Sequence, residues 1–242
     1  MKKKKKYSGD NIYKSTANWD FSGNVSKNFD EHIEKSVPLY KETHQIYLLL
    51  SDFFLQDKSN IIDLGCSNGT FLINVSKKNK LNNKKINYIG LDNTKEMINT
   101  CKKRKTNIKN LKFFTKDINK FEYKNCCIIS SFYTIQFISP KYRQALINKI
   151  YKALNWGGAF FFVEKVRASD ARFQDIFNQV YLEYKISKGF TADEILNKSK
   201  SLKGVLEPFS SNANMDLLKR AGFKDIHTVF KYSSFQGFLA IK

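Results

Sequence analysis

The sequence predicts an α/β fold: seven strands in a mostly parallel sheet, helices on both faces, and a helical insert before the last two strands. Three observations point there. Short apolar runs of the kind that form buried strands alternate with helix-period segments between residues 60 and 164. The first of those runs ends in Asp63 and passes into a small-residue turn, Gly65-Cys66-Ser67-Asn68-Gly69, before a helix start at Thr70. Finally, 242 residues that are 42% hydrophobic and 26% charged suit one domain with a sizeable core rather than a disordered chain.

Residues 1–18 are polar, basic and aperiodic and are expected as a flexible tail ahead of a domain spanning 19–242. A helix is predicted over 38–55, where Leu39, Tyr40, Ile46, Tyr47, Leu49, Leu50, Phe53 and Phe54 follow helical spacing, with Ser36 as N-cap and Pro38 in the first turn. Strands over 60–64, 86–91, 111–115, 126–131 and 159–164 then alternate with helices near 70–78, 95–103 and 141–154. Alternation of this kind demands crossover connections and therefore parallel pairing. The stripe Phe173, Ile176, Phe177, Val180, Tyr181 and Tyr184 predicts a helix over 169–186, and 192–203 reads as another. These form an insert over about 169–210, placed to act as a lid. Two strands over 223–230 and 234–241 close the chain, the second antiparallel at or near a sheet edge.

Composition removes several classes of function. The longest apolar stretches are five residues, far short of the ~20 needed to cross a bilayer, and the lysine run after Met1 is followed by no apolar signal core. Four cysteines without a C-x-x-C spacing and three histidines give no familiar zinc set, so we expect no metal and a reducing cytoplasm. His32 and His44 show no clustered partners in sequence, and Cys126 and Cys127 read as buried thiols. The net charge of +20 invites a nucleic-acid reading, yet only five of the 42 basic residues are Arg. Lysine is a diffuse point charge where arginine forks onto phosphates and bases, so charge alone does not indicate a nucleic-acid partner.

The turn after the first strand carries the chemistry. Gly65 and Gly69 allow a tight backbone turn and close approach of a ligand. Twenty-nine residues beyond Asp63 the second strand ends at Asp92, where a carboxylate can accept both hydroxyls of a ribose. The third strand is followed by Asp117-Ile118, an acceptor for an adenine amino group and an apolar floor under its ring. Three acids in order, each after a predicted strand, indicate one nucleotide-like cofactor. Gly65-x-Ser67-x-Gly69 also spells the nucleophile elbow of α/β hydrolases, but the only histidine downstream is His227, inside a predicted strand.

Together with Leu154-Asn155-Trp156-Gly157-Gly158 before the fifth strand, this row resembles the class I S-adenosylmethionine-dependent methyltransferases, with their Rossmann-like fold. Further stretches resemble the carboxy-S-adenosyl-L-methionine synthase family: Ser36-Val37-Pro38-x-Tyr40, Leu91-Asp92-Asn93, Thr134-Ile135-Gln136-Phe137, Arg143-Gln144-Ala145-Leu146, Glu164-Lys165 and Ala221-Gly222-Phe223. The resemblance runs from about Trp19 to Lys242. It implies S-adenosyl-L-methionine as cofactor, held by Tyr40, Asp63, Gly65, Cys66, Ser67, Asp92, Asn93, Asp117, Ile118 and the residue at Phe132. It also implies a homodimer that uses prephenate to carboxylate the sulfonium methyl, supplying the modification of a tRNA wobble uridine.

Two positions depart from that pattern. Phe132 stands where the family has an Asn at the cofactor's edge, and Ser199 stands where an Arg holds the added carboxylate. A neutral hydroxyl in place of a forked cation costs on the order of 2–4 kcal/mol of binding for an anionic product, unless Lys198 or Lys200 takes over. The departures favour methyl transfer to an unknown acceptor, with carboxylated cofactor synthesis as the alternative and a non-catalytic cofactor- or RNA-binding protein as a third class. Methyl transfer is displacement on an activated sulfonium and needs no dedicated base, so no catalytic residue is assigned.

Overall fold

Neighbouring side chains on a strand point to opposite faces, so a sheet covered on both sides needs apolar residues in unbroken runs. Ile61-Ile62, Ile128-Ile129 and Phe160-Phe161-Phe162-Val163 are such runs, and all are buried. The computed structural model describes residues 7–10, 12, 14–82, 84–104 and 108–242. Ile61, Ile128, Phe161 and Val163 pack on one face of the sheet with Tyr47, Phe71, Leu72 and Val75. Ile62, Ile129, Phe160 and Phe162 pack on the other with Leu146, Ile150, Leu217 and Phe238.

The chain enters through α1 (Asn24–Lys27), α2 (Phe29–Ser36) and α3 (Tyr40–Leu50), the last followed by a 3-10 turn at Ser51–Phe53. Then come β1 (Ser59–Leu64), α4 (Thr70–Lys78), β2 (Ile86–Asp92), α5 (Lys95–Arg104), β3 (Leu111–Thr115), β4 (Cys126–Phe132), α6 (Pro140–Ala153) and β5 (Leu154–Lys165). The insert holds α7 (Ala171–Ser187) and α8 (Ala192–Ser201), and α9 (Ser211–Ala221) leads into β6 (Asp225–Tyr232) and β7 (Phe235–Ile241). Sheet order is β3-β2-β1-β4-β5-β7-β6, with β7 antiparallel to both neighbours and the remaining pairs parallel. This is the seven-stranded Rossmann-like arrangement expected. The order reverses between β1 and β4, the place where such sheets open a crevice beyond the strand ends. Register brings Asp63 opposite Gly90 and Ser130, and Asp92 opposite Thr115, so the acids share one rim.

Several local expectations change. Ser36 ends α2 rather than capping the next helix, because the residue before a proline is pushed from helical geometry and Val37 is extended. Leu39 then takes a left-handed φ of 57° and α3 starts only at Tyr40. The helix α9 was not expected, although Ser210 caps it through the Ala213 amide at 3.2 Å and Gly222 ends it at a φ of 116°. From Tyr7 the segment expected as a tail lies against α8: Asn197 Nδ2 donates to Tyr7 O, and the Ala17 and Trp19 amides donate to Lys200 O and Ser201 O. Ile12 is buried there with Trp19 and Val25; the lysines at 2–6 lie outside the described residues.

On α7 the period is right, but the predicted stripe is split between solvent and the interior. Phe173, Ile176 and Val180 are exposed, while Gln174, Asn178, Tyr181 and Lys185 turn toward the strand ends and border a cavity there.

Phe161 is wholly buried and meets Tyr47, Phe54 and Phe71 with centroids at 5.0, 5.9 and 6.4 Å. Phe161→Ala is expected to cost about 3–5 kcal/mol by leaving a cavity that these rings cannot close. Urea unfolding would read this as a lower midpoint with an unchanged slope.

Candidate functional site

The turn from β1 into α4 is shaped by three left-handed residues: Gly65 (φ 69°), Ser67 (φ 49°) and Gly69 (φ 79°). A Cβ on Gly65 would collide with the Thr134 side chain, and one on Gly69 would stand 2.7 Å from the Phe113 ring. The amides of Gly65 and Cys66 both donate to Leu91 O, at 2.8 and 2.9 Å, and the Ser67 amide donates to Asp92 Oδ2 at 3.0 Å. The turn is thereby strapped to the end of β2. Asn68 donates to the Asp30 carboxylate, which also pairs with Arg104 at 3.2 Å and ties the turn to α2 and α5.

Asp92 Oδ1 accepts the Thr94 amide at 2.8 Å. Burial raises its pKa against the pull of the Thr94 and Ser67 amides, and each oxygen keeps a lone pair for a further donor. Asp63 is 3% exposed, accepts from Ser130 Oγ at 2.7 Å, and is pushed up to about 7 by burial and by the nearby Asp92 charge. Asp117 is exposed and binds the Asn119 amide through one oxygen at 2.9 Å, leaving the other without a donor among the described residues. Ile118 is buried beside it, and Asn93 is exposed at the rim. Cys66 is buried, its thiol pushed well up by burial and by Cys101. Tyr40 lies against His44 and Tyr133, with centroids 4.6 and 6.1 Å away. Phe132 packs against His44, Phe71 and Tyr47 with centroids at 4.7, 4.8 and 5.4 Å, the last two edge-on, so part of its ring belongs to the core.

All ten of these sequence-predicted residues border one cavity of about 810 Å³. Lys198 and Ser199 border it too, whereas Lys200 does not. His227 lies exposed on β6, away from that lining, so it does not pair with Ser67 as a hydrolase triad would require.

Several groups were missed by the sequence reading. Glu164 at the end of β5 accepts the amides of Ile135 and Gln136, at 3.0 and 2.6 Å, and fixes the loop that walls the cavity. Burial pushes it up to about 8, opposed by those amides. Lys165 and Lys185 both flank the Tyr181 ring, 4.2 and 5.0 Å from its centroid, and burial holds each down to about 8. Among the described residues neither makes an ion pair, nor does Lys198. His32, read as lacking partners, lies 2.7 Å from both Asp10 and Lys198. The correction arises because Asp10 and Lys198 are 22 and 166 residues away in sequence. Among the described residues His44 keeps both ring nitrogens without a partner.

Asp63 gives a pH signature. An unfolded aspartate ionises near 3.8 and this one near 7, so the unfolded chain loses its proton first and stability falls as pH rises between those values. Asp63→Asn keeps an acceptor for Ser130 and removes that loss. Relative to wild type, the variant is expected to gain thermal stability at pH 8 compared with pH 4; a difference constant across this range rejects the assignment.

Residues 55–222 match the family described as a methyltransferase domain. The chain is 40% identical to the carboxy-S-adenosyl-L-methionine synthase of Staphylococcus epidermidis over 225 residues, covering 93% of this chain and 97% of that protein. It is 36% identical to the protein of the same name from Nautilia profundicola, with 93% and 94% covered. Human N-acetylserotonin methyltransferase in complex with SAM shares the fold with a TM-score of 0.60 at 15% identity, over 90% of this chain and 55% of that one. An O-methyltransferase family protein from Burkholderia thailandensis does so with a TM-score of 0.61 at 14% identity, over 90% and 60%. With a domain match across most of its length and 40% identity along nearly all of it, the chain belongs to the methyltransferase-domain family and, within it, to the carboxy-S-adenosyl-L-methionine synthase family of S-adenosylmethionine-dependent transferases.

Proposed function

We propose that the chain is a methyltransferase that binds S-adenosyl-L-methionine across the ends of β1, β2 and β3 and acts on a small anionic acceptor. The observation that carries this is one cavity bordered both by the strand-end acids and by the buried lysines of β5 and the insert. Asp92 is suited to the ribose hydroxyls, Asp117 and Ile118 to the adenine, and the Gly65–Gly69 turn to close passage of the methionyl chain. The fit rests on a cradle at Gly65 that a Cβ would fill and on acceptor capacity left at Asp92. When bound, the cofactor supplies an already activated methyl group. The protein positions the reactants and excludes water, which carries much of such a barrier. Lys165 and Lys185, held near 8, stay largely protonated at pH 7 and offer charge to the acceptor.

The same lysines favour a second reading, synthesis of the carboxylated cofactor from prephenate. Relatives 32–40% identical carry that name, and the cations on β5 and α7 supply charge that the Arg-to-Ser change at Ser199 removes. With it go a homodimer, a cytoplasmic setting and a place in tRNA modification. Phe173, Ile176 and Val180, exposed on α7, offer an apolar face for a second copy. Val180→Asp is expected to shift a dimer to monomer in sedimentation, and a wild type that sediments as monomer at all concentrations removes this interface.

Mass spectrometry of the co-purifying ligand, and of the products made from S-adenosylmethionine with and without prephenate, separates the chemistries. Carboxylated cofactor selects the second reading and S-adenosylhomocysteine the first. Asp92→Ala is expected to weaken S-adenosylmethionine binding by about 1–3 kcal/mol in calorimetry, since it strips acceptors from buried hydroxyls. Unchanged affinity removes the ribose assignment.

A further inference from the structure

The five parallel strands have two rims. The strand-end acids border the cavity at one, and the starts of β3, β2, β1, β4 and β5 form the other, about 19 Å across at ~4.8 Å per strand. Trp156 stands on this second rim, beside the start of β5 at Leu154. It is 86% exposed, the most exposed large apolar side chain among the described residues, and Phe53, three residues before Gln56, follows at 82%. The backbone beneath the Trp156 ring is fixed on both sides. Gln56 Nε2 donates to Trp156 O at 2.9 Å, the Gly157 amide donates to Lys242 O at 2.7 Å, and Asn155 Nδ2 donates to Gln56 Oε1 and Asn125 Oδ1 at 2.9 and 3.0 Å. From there a row of carboxamides crosses the strand starts. Asn125 Nδ2 donates to Lys58 O at 2.8 Å, Asn60 Nδ2 to Lys124 O at 2.8 Å, and Asn87 Nδ2 to Asn60 Oδ1 at 3.1 Å, and all five of these amide side chains are partly or fully exposed.

Charge surrounds this row. Lys58, Lys85, Lys124 and Lys152 are exposed, and Lys80 and Lys109 extend the set where they border a small cleft with Asn110. None of the six makes an ion pair among the described residues. Of the acids near this rim, Asp52 is paired with Lys78 at 2.6 Å and Asp57 accepts the Lys85 amide at 2.7 Å, while Glu122 and Asp225 are exposed. The rim is therefore cationic, and it carries aromatic rings that the sheet has no use for.

Exposed rings, cations and carboxamides in one place call for a partner with matching parts. We propose that this rim is a binding surface for single-stranded RNA, with Trp156 stacking on a base, the lysines facing phosphates, and the amides facing ribose hydroxyls and base edges. Stacking on an aromatic platform tolerates any base and lysines act as point charges, so the surface holds a strand without reading its sequence. A 2′-hydroxyl donates and accepts, as a carboxamide does, which favours RNA over DNA. A lipid surface fits less well: it would take the Trp156 and Phe53 rings but strip water from the carboxamides beside them and return no hydrogen bonds. The surface is independent of the transferase reading, because it lies at the end of the sheet away from the cavity.

The test titrates the full-length protein into a fluorescein-labelled uridine strand of about 12 nucleotides, inside the ~4–16 that one such surface holds, and follows anisotropy at several salt concentrations. Saturable binding is expected at about 0.15 M salt. Trp156→Ala is expected to weaken it about tenfold at an unchanged salt slope, since a ring contributes stacking and releases no counterion, whereas Trp156→Phe keeps most of the affinity. Lys58→Gln and Lys124→Gln are each expected to lower the salt slope by about 0.7. Intrinsic fluorescence needs no variant. Trp19 is buried, so the strand quenches mainly the exposed Trp156, and wild-type emission that stays unchanged at saturation overturns the proposal even where a variant misfolds. Binding that Trp156→Ala leaves intact overturns it too, as does a deoxyuridine strand held as tightly as the RNA, or capture by phosphatidylserine vesicles with no RNA binding. Calorimetry of S-adenosylmethionine keeps the two ideas apart: unchanged cofactor affinity in Trp156→Ala assigns the tenfold loss to the rim, and a wild type that binds RNA but no S-adenosylmethionine loses only the transferase reading.

Discussion

The strap between the β1 turn and β2 sets the geometry of everything around it. Three amides in succession, those of Gly65, Cys66 and Ser67, aim at Leu91 O and the Asp92 carboxylate. Gly65 and Ser67 take left-handed geometry in this turn, a conformation in which successive amides can converge as a concave set of donors. Each bond is worth about 1 kcal/mol net, but their shared effect is positional. They hold the α4 start, the Asp92 oxygens and the end of β1 in one rigid corner at the reversal of strand order.

That corner carries negative charge, and the cavity continues from it to a region of the opposite sign. Asp63 and Asp92 are both desolvated, and the Asp92 charge raises the cost of ionising Asp63. Lys165, Lys185 and Lys198 are desolvated as well and lowered accordingly. Unpaired buried charges of both signs are costly in a free protein. A ligand that fills the cavity would relieve the groups that face it.

The insert shows how function was placed on local structure. Helix α7 is strongly patterned, yet Phe173, Ile176 and Val180 of its stripe face outward while Tyr181 borders the cavity with Gln174, Asn178 and Lys185. Helix α8 is fixed by a capping box between Thr191 and Glu194 and presents Lys198 to the interior. The N-terminal segment closes over α8 through backbone bonds and the burial of Ile12, bringing Asp10 to His32.

The strand-end row was legible in sequence because each of its members sits at a fixed place in a local unit: strand, tight turn, helix. Asp63, Gly65, Gly69, Asp92 and Asp117 obey spacings that neighbouring backbone geometry imposes, and the alternation of apolar runs determined the parallel sheet. Helix α9 also left its signals, Ser210 and Gly222, though the reading passed over them. The direction in which α7 turns its stripe, the docking of the segment after Tyr7, and the gathering of Asp10, His32 and Lys198 left no such mark. Those depend on contacts between residues as many as 190 positions apart, where no periodicity or spacing rule operates and only the packed chain brings the groups within hydrogen-bonding distance.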